Sequence, residues 1–278
     1  MTAATHPIDS CTVTPDSAPR GALPLVEPQA AHQAFLTNNP NVHSVVLKLP
    51  HVERLVNQGE TADSYFPDSI AVITTSTCRD EYLSELTVQR EAALIRAFDP
   101  TVHIPFDVPV YRSTSRVERR ERIRQQLRGT ARVATELADT DISLLPLIKG
   151  TCKEEWQIYH RFLQHNDIHV TAIYGTQYFS SGAGLRPLRE DIMTIVSIMP
   201  DLEVILLGLL YPPYLEQLPP QVIAASGLHQ WRTRCDLREG SIKQTHEEYG
   251  RLKSEVNATL GESQMPLSTW VEDTGVTA

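Results

Sequence analysis

The chain has 278 residues, of which 41% are hydrophobic and 21% charged, and its formal net charge is −9. This composition is typical of a globular protein and excludes a disordered or disulfide-stapled chain. No apolar run approaches the roughly 20 residues that a membrane-spanning helix needs. The segment from Met1 to Pro7 does not resemble a secretory signal, and the four cysteines form no CxxC pair. We therefore expect a cytoplasmic protein with free thiols, no metal and no cofactor.

Six prolines interrupt the first 41 residues, which show little hydrophobic periodicity. They are Pro7, Pro15, Pro19, Pro24, Pro28 and Pro40. Because proline lacks a backbone N–H and fixes φ, these residues exclude a long helix. We predict a flexible Pro-rich N-terminal segment over residues 1–41, with one short helix at Gln29–Leu36.

Short runs rich in β-branched residues predict seven strands in the following part of the chain. They are Ser44–Leu49, Ser69–Thr75, Thr101–Phe106, Ser143–Ile148, His169–Tyr174, Glu203–Gly208 and Gln221–Ala225. Several runs are apolar at consecutive positions, as in Ala71–Ile73 and Val204–Leu207. Such runs are typical of parallel strands that are buried on both faces.

Longer segments between the strands carry apolar residues at helical spacing and predict five helices. They are Arg79–Ala97, Ser115–Ala138, Lys153–His165, Arg186–Met199 and His246–Leu260. This alternation predicts an α/β domain over residues 42–260, followed by a C-terminal tail at 261–278. A (β/α)8-type TIM barrel with one strand short or undetected has this order, and an open doubly wound sheet has it too.

In both folds the carboxyl ends of the strands carry the site, so the residues that follow each strand are candidates. Thr75 and Ser76 follow the second strand, where hydroxyls either cap a helix or contact a ligand. Lys149 and Gly150 follow the fourth strand, and Lys149 is either a ligand contact or a solvated rim residue.

Asp107 is the strongest single candidate. It follows the third strand and is fixed by a proline on either side. A carboxylate can accept hydrogen bonds from two N–H donors of a planar heterocycle, such as the N1 and N2 edge of guanine. A role in a turn or a helix cap is the alternative.

Two further strand ends contribute candidates. Tyr174 and Gly175 open a Gly- and Ser-rich loop that we interpret as a mobile substrate loop. Ser226 and Trp231 follow the seventh strand, where small residues admit a ligand and the indole would wall a pocket. We interpret His229 as a structural residue, because its proximity to Ser226 in sequence does not make a catalytic triad.

The segment from Arg112 to Arg132 holds eight arginines and two glutamates, a local net charge of +6 within an acidic chain. Arg116, Arg120, Arg124 and Arg128 follow i, i+4 spacing and form one stripe on a helix. Next to a candidate site, such a stripe predicts contacts with a phosphate backbone. A solvated face paired with acidic residues is the alternative.

Five strand ends together resemble a known family over residues 69 to 235. They are Phe106–Tyr111, Leu147–Gly150, Ile173–Gly175, Leu206–Gly208 and Ala225–Trp231. In order and spacing they resemble the tRNA-guanine transglycosylase superfamily, particularly its zinc-free branch that inserts 7-deazaguanines into DNA. That superfamily is a (β/α)8 barrel that exchanges bases through a covalent glycosyl-aspartate. The resemblance implies that Asp107 reads the base and that Lys149, Gly150 and Gly175 line its pocket.

The sequence departs from the family at its catalytic motifs. Thr74–Ser76 stands where the family has Asp-Ser-Gly, and Lys149 stands for the Gln of Val-Gln-Gly. Ala225 or Ser226 replaces the nucleophilic aspartate. The resemblance therefore places catalytic positions at Asp107 and Ser226, and a carboxylate nucleophile would have to come from Asp80 or Glu81.

Three functions follow from these observations. The first is guanine or 7-deazaguanine exchange or recognition in nucleic acid, in DNA rather than tRNA. The second is a catalytically inactive nucleic-acid-binding subunit of a modification system, with a partner protein or as a homo-oligomer. The third is a barrel enzyme that acts on a small phosphorylated or heterocyclic substrate.

Overall fold

A computed structural model describes residues 11–260, except for residues 181, 183, 238 and 239. The predicted C-terminal tail at 261–278 and the first ten residues lie outside the described part of the chain. Within that part, no helix combines the length and the apolar character needed to cross a membrane.

The described strands form one parallel sheet in the order β5–β4–β3–β2–β1–β9–β8–β7–β6. The strands are β1 (Gly21–Val26), β2 (Ser44–Lys48), β3 (Ala71–Thr75), β4 (Val102–Ile104), β5 (Ser143–Leu144), β6 (Leu147–Ile148), β7 (Val170–Tyr174), β8 (Glu203–Leu207) and β9 (Val222–Gly227). The sheet is curled and surrounded by helices, which makes it at least a partial TIM-like barrel. The predicted α/β class with a parallel sheet is confirmed.

Helices follow most of the strands along the chain. They are α1 (Ala30–Leu36), α2 (Leu49–Asn57), α3 (Ala62–Tyr65), α4 (Asp80–Glu85), α5 (Val88–Phe98), α6 (Arg116–Glu136), α7 (Lys153–His165), α8 (Thr176–Ser180), α9 (Leu185–Ile198), α10 (Pro212–Leu215), α11 (His229–Cys235) and α12 (Ile242–Thr259). The helix predicted at 79–97 is divided into α4 and α5, because Thr87 starts a new helix. Its Oγ1 accepts a hydrogen bond from Arg90 N at 3.2 Å.

Both faces of the curled sheet are buried, as the consecutive apolar residues predicted. Inner-face residues such as Ile73, Ala172 and Ile205 form one apolar cluster inside the curl. Their neighbours along the strands, such as Val72 and Leu206, pack outward against the helices in a second cluster. The strands are therefore held between two cores, and their carboxyl ends emerge together at one edge.

The N-terminal segment differs from the prediction. Residues 21–26 form β1 between β2 and β9, with Leu25 beside Val46 and Gly21 beside Ala224. Val13 also packs in the inner core, and its N–H donates to Leu144 O at 2.9 Å. The structure therefore has a strand within the segment that the sequence predicted to be flexible, and it has α1 where the short helix at Gln29–Leu36 was predicted. β1 was missed because it contains Pro24, and proline is rare within a paired strand.

Candidate functional site

Polar side chains collect on the inner face at the carboxyl ends of the strands. Side chains alternate along a strand, so a residue two positions after an inner-face residue points the same way. Lys48, Thr75, Lys149, Tyr174 and Ser226 each stand two positions after an inner-face residue. We call these five residues, together with Asp107, the mouth.

An ion pair between Asp107 and Lys149 occupies the mouth. Lys149 Nζ donates to Asp107 Oδ1, and the side chains of Lys149 and Asp107 are only 5% and 3% exposed, respectively. The ammonium group also lies 5.5 Å from the centroid of the Tyr174 ring. Burial raises the pKa of Asp107, whereas the Lys149 charge acts to lower it. The Lys149 ammonium therefore offsets part of the free-energy cost of burying the Asp107 carboxylate.

The turn that carries Asp107 is strained and held by neighbouring side chains. Phe106 has a φ of 48°, a left-handed conformation that non-glycine residues rarely adopt. Glu91 Oε1 accepts a hydrogen bond from Phe106 N at 2.9 Å. Ser76 Oγ accepts one from Asp107 N at 2.9 Å and donates to Ile104 O at 3.2 Å. These bonds hold the backbone so that the Asp107 carboxylate meets Lys149.

The Phe106 ring packs against α6 at Gly129. A Cβ atom on Gly129 would lie 1.8 Å from Phe106 Cδ1, so no larger residue fits without a shift of the ring. Glycine in a helix interior costs about 1 kcal/mol relative to alanine. Its presence here therefore has a packing reason, which is the position of the turn before Asp107.

A cluster of fully buried polar side chains supports the turn that carries Asp107. His103 Nε2 lies 2.9 Å from Glu91 Oε1, and His103 Nδ1 lies 2.9 Å from Thr74 Oγ1. The side chains of His103 and Glu91 are fully buried. Because a buried polar atom costs free energy unless it is paired, this group fixes the geometry of β3, β4 and α5 together.

The loop after Lys149 is held by a second buried pair. Glu155 Oε1 accepts a hydrogen bond from Arg119 Nε at 2.9 Å. Glu155 Oε2 accepts from Thr151 N at 2.8 Å and from Thr151 Oγ1 at 3.1 Å. Gln126 Nε2 donates to Leu147 O at 2.7 Å. The strand end that carries Lys149 is thus fixed against α6 and α7.

The segment after Asp107 crosses the edge of the mouth and is tied at both sides. Tyr111 Oη donates to Asp80 Oδ1 at 2.6 Å, next to the end of β3. Arg112 pairs with Asp191, which also accepts a hydrogen bond from Tyr178 Oη at 2.7 Å. The Arg112 guanidinium lies 5.5 Å from the centroid of the Tyr178 ring. This segment therefore connects the β3 end to α8 and α9.

Several predicted site residues lie together. Lys149, Tyr174 and Asp107 are in contact in the mouth, as described above. Thr75 is buried and its Oγ1 lies 3.0 Å from Thr77 Oγ1. Ser76 bonds to the Asp107 turn and does not cap a helix, because the N-cap of α4 is Arg79. The hydroxyl run after β3 therefore supports the mouth.

The two predicted glycines are close-packing positions. A Cβ atom on Gly150 would lie 3.1 Å from the Trp156 indole. Gly175 is buried, and its N–H donates to Leu207 O at 2.7 Å, which extends the pairing of β7 with β8. Both glycines let protein groups approach each other, and these contacts account for them without a ligand.

The residues predicted after β9 take different places. Ser226 is fully buried in the mouth, and its Oγ has no hydrogen-bond partner among the described residues, so no base activates it. Trp231 does not line the mouth, which corrects the prediction. It is fully buried, donates from Nε1 to Leu25 O at 3.0 Å and stacks on Phe35 at 4.6 Å. The indole is part of the core behind β1.

The predicted arginine stripe lies on α6, and its far half is partly neutralised. Arg128 lies 2.7 Å from Glu121 Oε1, and Arg124 lies 3.6 Å from Glu121 Oε2. Arg116 is exposed and Arg120 half-buried, and neither has an ion pair among the described residues. Within the stripe, the two arginines without an ion pair therefore lie in the first half of α6, where the chain arrives from the mouth.

Cys78 offers no thiolate nucleophile beside the mouth, and the described residues form no metal cluster. Burial raises the pKa of Cys78, beside the mouth, to about 12, so it remains a thiol at neutral pH. The described part of the chain contains no group of three or more His, Cys, Asp or Glu side chains that could hold a metal ion.

Sequence reasoning missed the buried polar residues behind the mouth, which are Glu91, His103, Arg119, Gln126 and Glu155. A signal for two of them was present. Glu91 falls on the buried face of α5 between Val88 and Ile95. Glu155 precedes Trp156 on the buried face of α7. A carboxylate on an apolar helix face indicates a buried partner, which the spacing alone does not name.

A cavity of about 450 Å³ opens beside Asp107, between α4 and α6, and is also lined by Asp80, Phe106 and Arg122. A larger cavity of about 770 Å³ lies between α1 and α12 and contains none of the mouth residues. Of the mouth residues, only Asp107 lines the first cavity.

Two comparisons with known proteins complete the description. No family model matches the chain. No curated protein matches it either. We therefore infer the function from the mouth and its surroundings.

Proposed function

We propose that this protein is a (β/α)8 barrel that recognises guanine or a 7-deazaguanine base within nucleic acid. The observation that carries the proposal is the Asp107–Lys149 pair at the ends of β4 and β6. The resemblance to the tRNA-guanine transglycosylase superfamily supports the same assignment, with DNA favoured over tRNA. The geometry supports recognition of the base better than its exchange.

The proposed barrel requires β5 and β6 to act as one strand. Only Leu145 and Pro146 separate them, and proline lacks the N–H needed for continuous pairing. Leu145 N donates to His103 O at 2.9 Å on one side, and Ala172 N donates to Pro146 O at 2.8 Å on the other. Counted as one strand, they join β4 to β7 and close an eight-stranded barrel whose carboxyl end is the mouth.

The ion pair offers an acceptor and a donor side by side. Asp107 Oδ2 has no hydrogen-bond partner among the described residues, so it can accept from a ligand. Of its three ammonium protons, Lys149 uses one for Asp107 and one for Val108 O at 3.5 Å, which leaves one for a ligand acceptor. Guanine has N1–H and N2–H donors next to its O6 acceptor, which complements this arrangement, whereas adenine has an N6 donor and an N1 acceptor.

The arginines at the start of α6 support the proposal that the recognised base belongs to a nucleic acid. Arg116 and Arg120 have no carboxylate partner among the described residues and follow the segment that leaves the mouth. Guanidinium groups bind phosphate oxygens strongly, and such contacts weaken steeply with salt. We expect the affinity for an oligonucleotide to fall with ionic strength, and to fall further in Arg116→Glu/Arg120→Glu.

Base exchange is a second candidate, because Asp80 and Asp107 line the same cavity. Exchange needs a carboxylate to attack the anomeric carbon as the old base leaves, followed by attack of the new base on the glycosyl ester. Ala225 and Ser226 supply no carboxylate at the end of β9. Asp80 would therefore have to be the nucleophile.

Calorimetric titration with 7-deazaguanine and with adenine tests base recognition. We expect 7-deazaguanine to bind and adenine not to bind, and Asp107→Asn to weaken 7-deazaguanine binding about tenfold or more. The matched control is Asp139→Asn, because Asp139 is an exposed carboxylate in a pair with Arg96. Equal binding of both bases, or unchanged binding in Asp107→Asn, would contradict the proposal.

Exchange of labelled guanine into DNA and tRNA tests the second candidate. Incorporation that is lost in Asp80→Asn would support exchange through Asp80. No incorporation into either nucleic acid, with base binding intact, would support a binding module. Binding of the free base without any affinity for nucleic acid would favour an enzyme that acts on a small heterocycle.

A further inference from the structure

Three aromatic side chains cluster beside the mouth, and the proposed base site does not use them. Phe179 lies in α8, which follows β7 directly. Tyr211 and Tyr214 lie at the start of α10 and inside it, and α10 follows β8. Both helices therefore begin at the carboxyl edge of the sheet. We call Phe179, Tyr211 and Tyr214 the aromatic rim.

The three rings of the aromatic rim hold one another in fixed orientations. Phe179 and Tyr214 are stacked, with centroids 5.8 Å apart and planes 10° apart. Tyr211 meets Tyr214 edge to face at 5.0 Å. Tyr211 is 39% exposed and Tyr214 is 37% exposed, and neither hydroxyl has a hydrogen-bond partner among the described residues. The rings thus hold one another in place while they keep accessible surface.

Positive charge adjoins the aromatic rim. Arg112 lies over the ring of Tyr178, the residue before Phe179, and its side chain is 46% exposed. Arg116 begins α6 a few residues later and has no ion pair among the described residues. Arg112 thus places a guanidinium beside α8, the helix that carries Phe179, where it pairs with Asp191, and Arg116 is the next arginine along the chain.

We propose that the aromatic rim is a stacking platform for unpaired bases of single-stranded nucleic acid, next to the base held in the mouth. This inference rests on the proposed function for the choice of nucleic acid as partner. Single strands bind where aromatic rings stack on bases and cations follow the phosphates, and such binding tolerates any base. A duplex hides its base faces, so the platform selects a single-stranded or locally opened site.

Binding of a labelled oligothymidylate, measured by fluorescence anisotropy with the full chain, tests this inference. This strand contains no guanine, so its binding does not depend on Asp107. We expect Tyr211→Ala/Tyr214→Ala to weaken binding about tenfold or more, because each base–aromatic stack contributes substantially. Tyr211→Phe/Tyr214→Phe keeps the rings and should bind as the original protein does. The matched control is Ile242→Ala, since Ile242 is an exposed apolar residue on α12.

Two further measurements keep the test independent of folding. Tyr214→Leu keeps apolar volume without a ring, and it should weaken binding while thermal unfolding stays unchanged. An abasic strand of equal length should bind as weakly to the original protein as oligothymidylate binds to the alanine variant. Equal binding of the abasic strand, full binding by the alanine variant or no binding of oligothymidylate would overturn the inference. Loss of 7-deazaguanine binding alone would refute only the base site.

Discussion

The carboxyl ends of β3 to β6 carry buried charged and polar side chains, whereas β8 is followed by Gly208 and β9 ends in Ser226 and Gly227. On the first side, Asp107 and Lys149 hold each other, and His103 contacts Glu91. On the second side, the Ser226 hydroxyl has no partner. Buried ion pairs are weak evidence for stability, since apolar residues of equal volume often serve as well. Their concentration on one side therefore points to recognition there.

The same contrast explains why exchange chemistry lacks a nucleophile on the second side. A glycosyl ester needs a carboxylate, and the inner face of β9 has Ala224 and Ser226 instead. Small residues leave space for a ligand without contributing a reacting group. The mouth thus has a charged side at β3 to β6 and an uncharged side at β8 and β9. We call the charged side, to which the proposed function assigns recognition of the base, the reading side.

Breaking the Asp107–Lys149 pair gives the largest expected effect on stability. Lys149→Met leaves the Asp107 carboxylate buried without a partner and should lower the free energy of unfolding by about 3 kcal/mol. Asp107→Leu/Lys149→Met should restore most of that loss, because both charges are gone. Urea unfolding measures both, with Arg96→Met in the exposed Arg96–Asp139 pair as the control. A double variant less stable than Lys149→Met would contradict this interpretation.

Gly129→Ala tests how the reading side is positioned. The added methyl group meets Phe106 Cδ1, so the variant should lose about 2 kcal/mol by overpacking, despite the better helix propensity of alanine. Because Phe106 precedes Asp107, 7-deazaguanine binding should weaken as well. Gly250→Ala in α12 is the control, since its Cβ meets only the side chain of Asn41. Unchanged unfolding and binding in Gly129→Ala would refute the positioning role.

Lowering the pH should reduce the stability that the residues behind β1 and β9 contribute to the fold. Behind β1 and β9, His32 packs on Trp231, and burial lowers its pKa from 6.5 to about 4. The unfolded chain therefore binds a proton between these values that the folded chain does not. The resulting stability is complete above pH 6.5, and about 2 kcal/mol should be lost as the pH falls toward 4. His32→Asn keeps an acceptor for Glu27 N and should flatten the dependence of the urea midpoint on pH.

Ser226→Ala is expected to have the smallest effect. Its Oγ is buried without a partner, so removal should raise the free energy of unfolding slightly, by about 1 kcal/mol or less. Base binding should not change. A large loss of 7-deazaguanine binding or of guanine exchange in this variant would instead make Ser226 a functional residue and end the contrast between the two sides.

The sequence predicted most of the sheet and the main site residues, for identifiable reasons. Buried parallel strands are apolar at consecutive positions, and their carboxyl ends carry ligand contacts. That rule placed Asp107, Lys149 and Tyr174 at one edge. It could not show that Asp107 and Lys149 pair, because the contact depends on the course of the chain between β4 and β6.

Other features needed the three-dimensional structure. β1 contains Pro24, and proline within a run is typical of a loop or an edge strand, so the run was not recognised as a strand. Trp231 follows a strand end, but the first turn of α11 points it toward Phe35 and away from the mouth. Position along the chain gives the edge of the sheet, and it does not give the direction of a side chain within a helix.

The preference for guanine over hypoxanthine is the most direct test of the reading side. Hypoxanthine lacks the exocyclic N2 donor, so a carboxylate that accepts from N1 and N2 loses one hydrogen bond with it. The ratio of the two affinities, measured by calorimetry, does not depend on the folded fraction of the protein. We expect a preference for guanine of about tenfold in the original protein and none in Asp107→Asn. An equal preference in both proteins would show that Asp107 does not read the base.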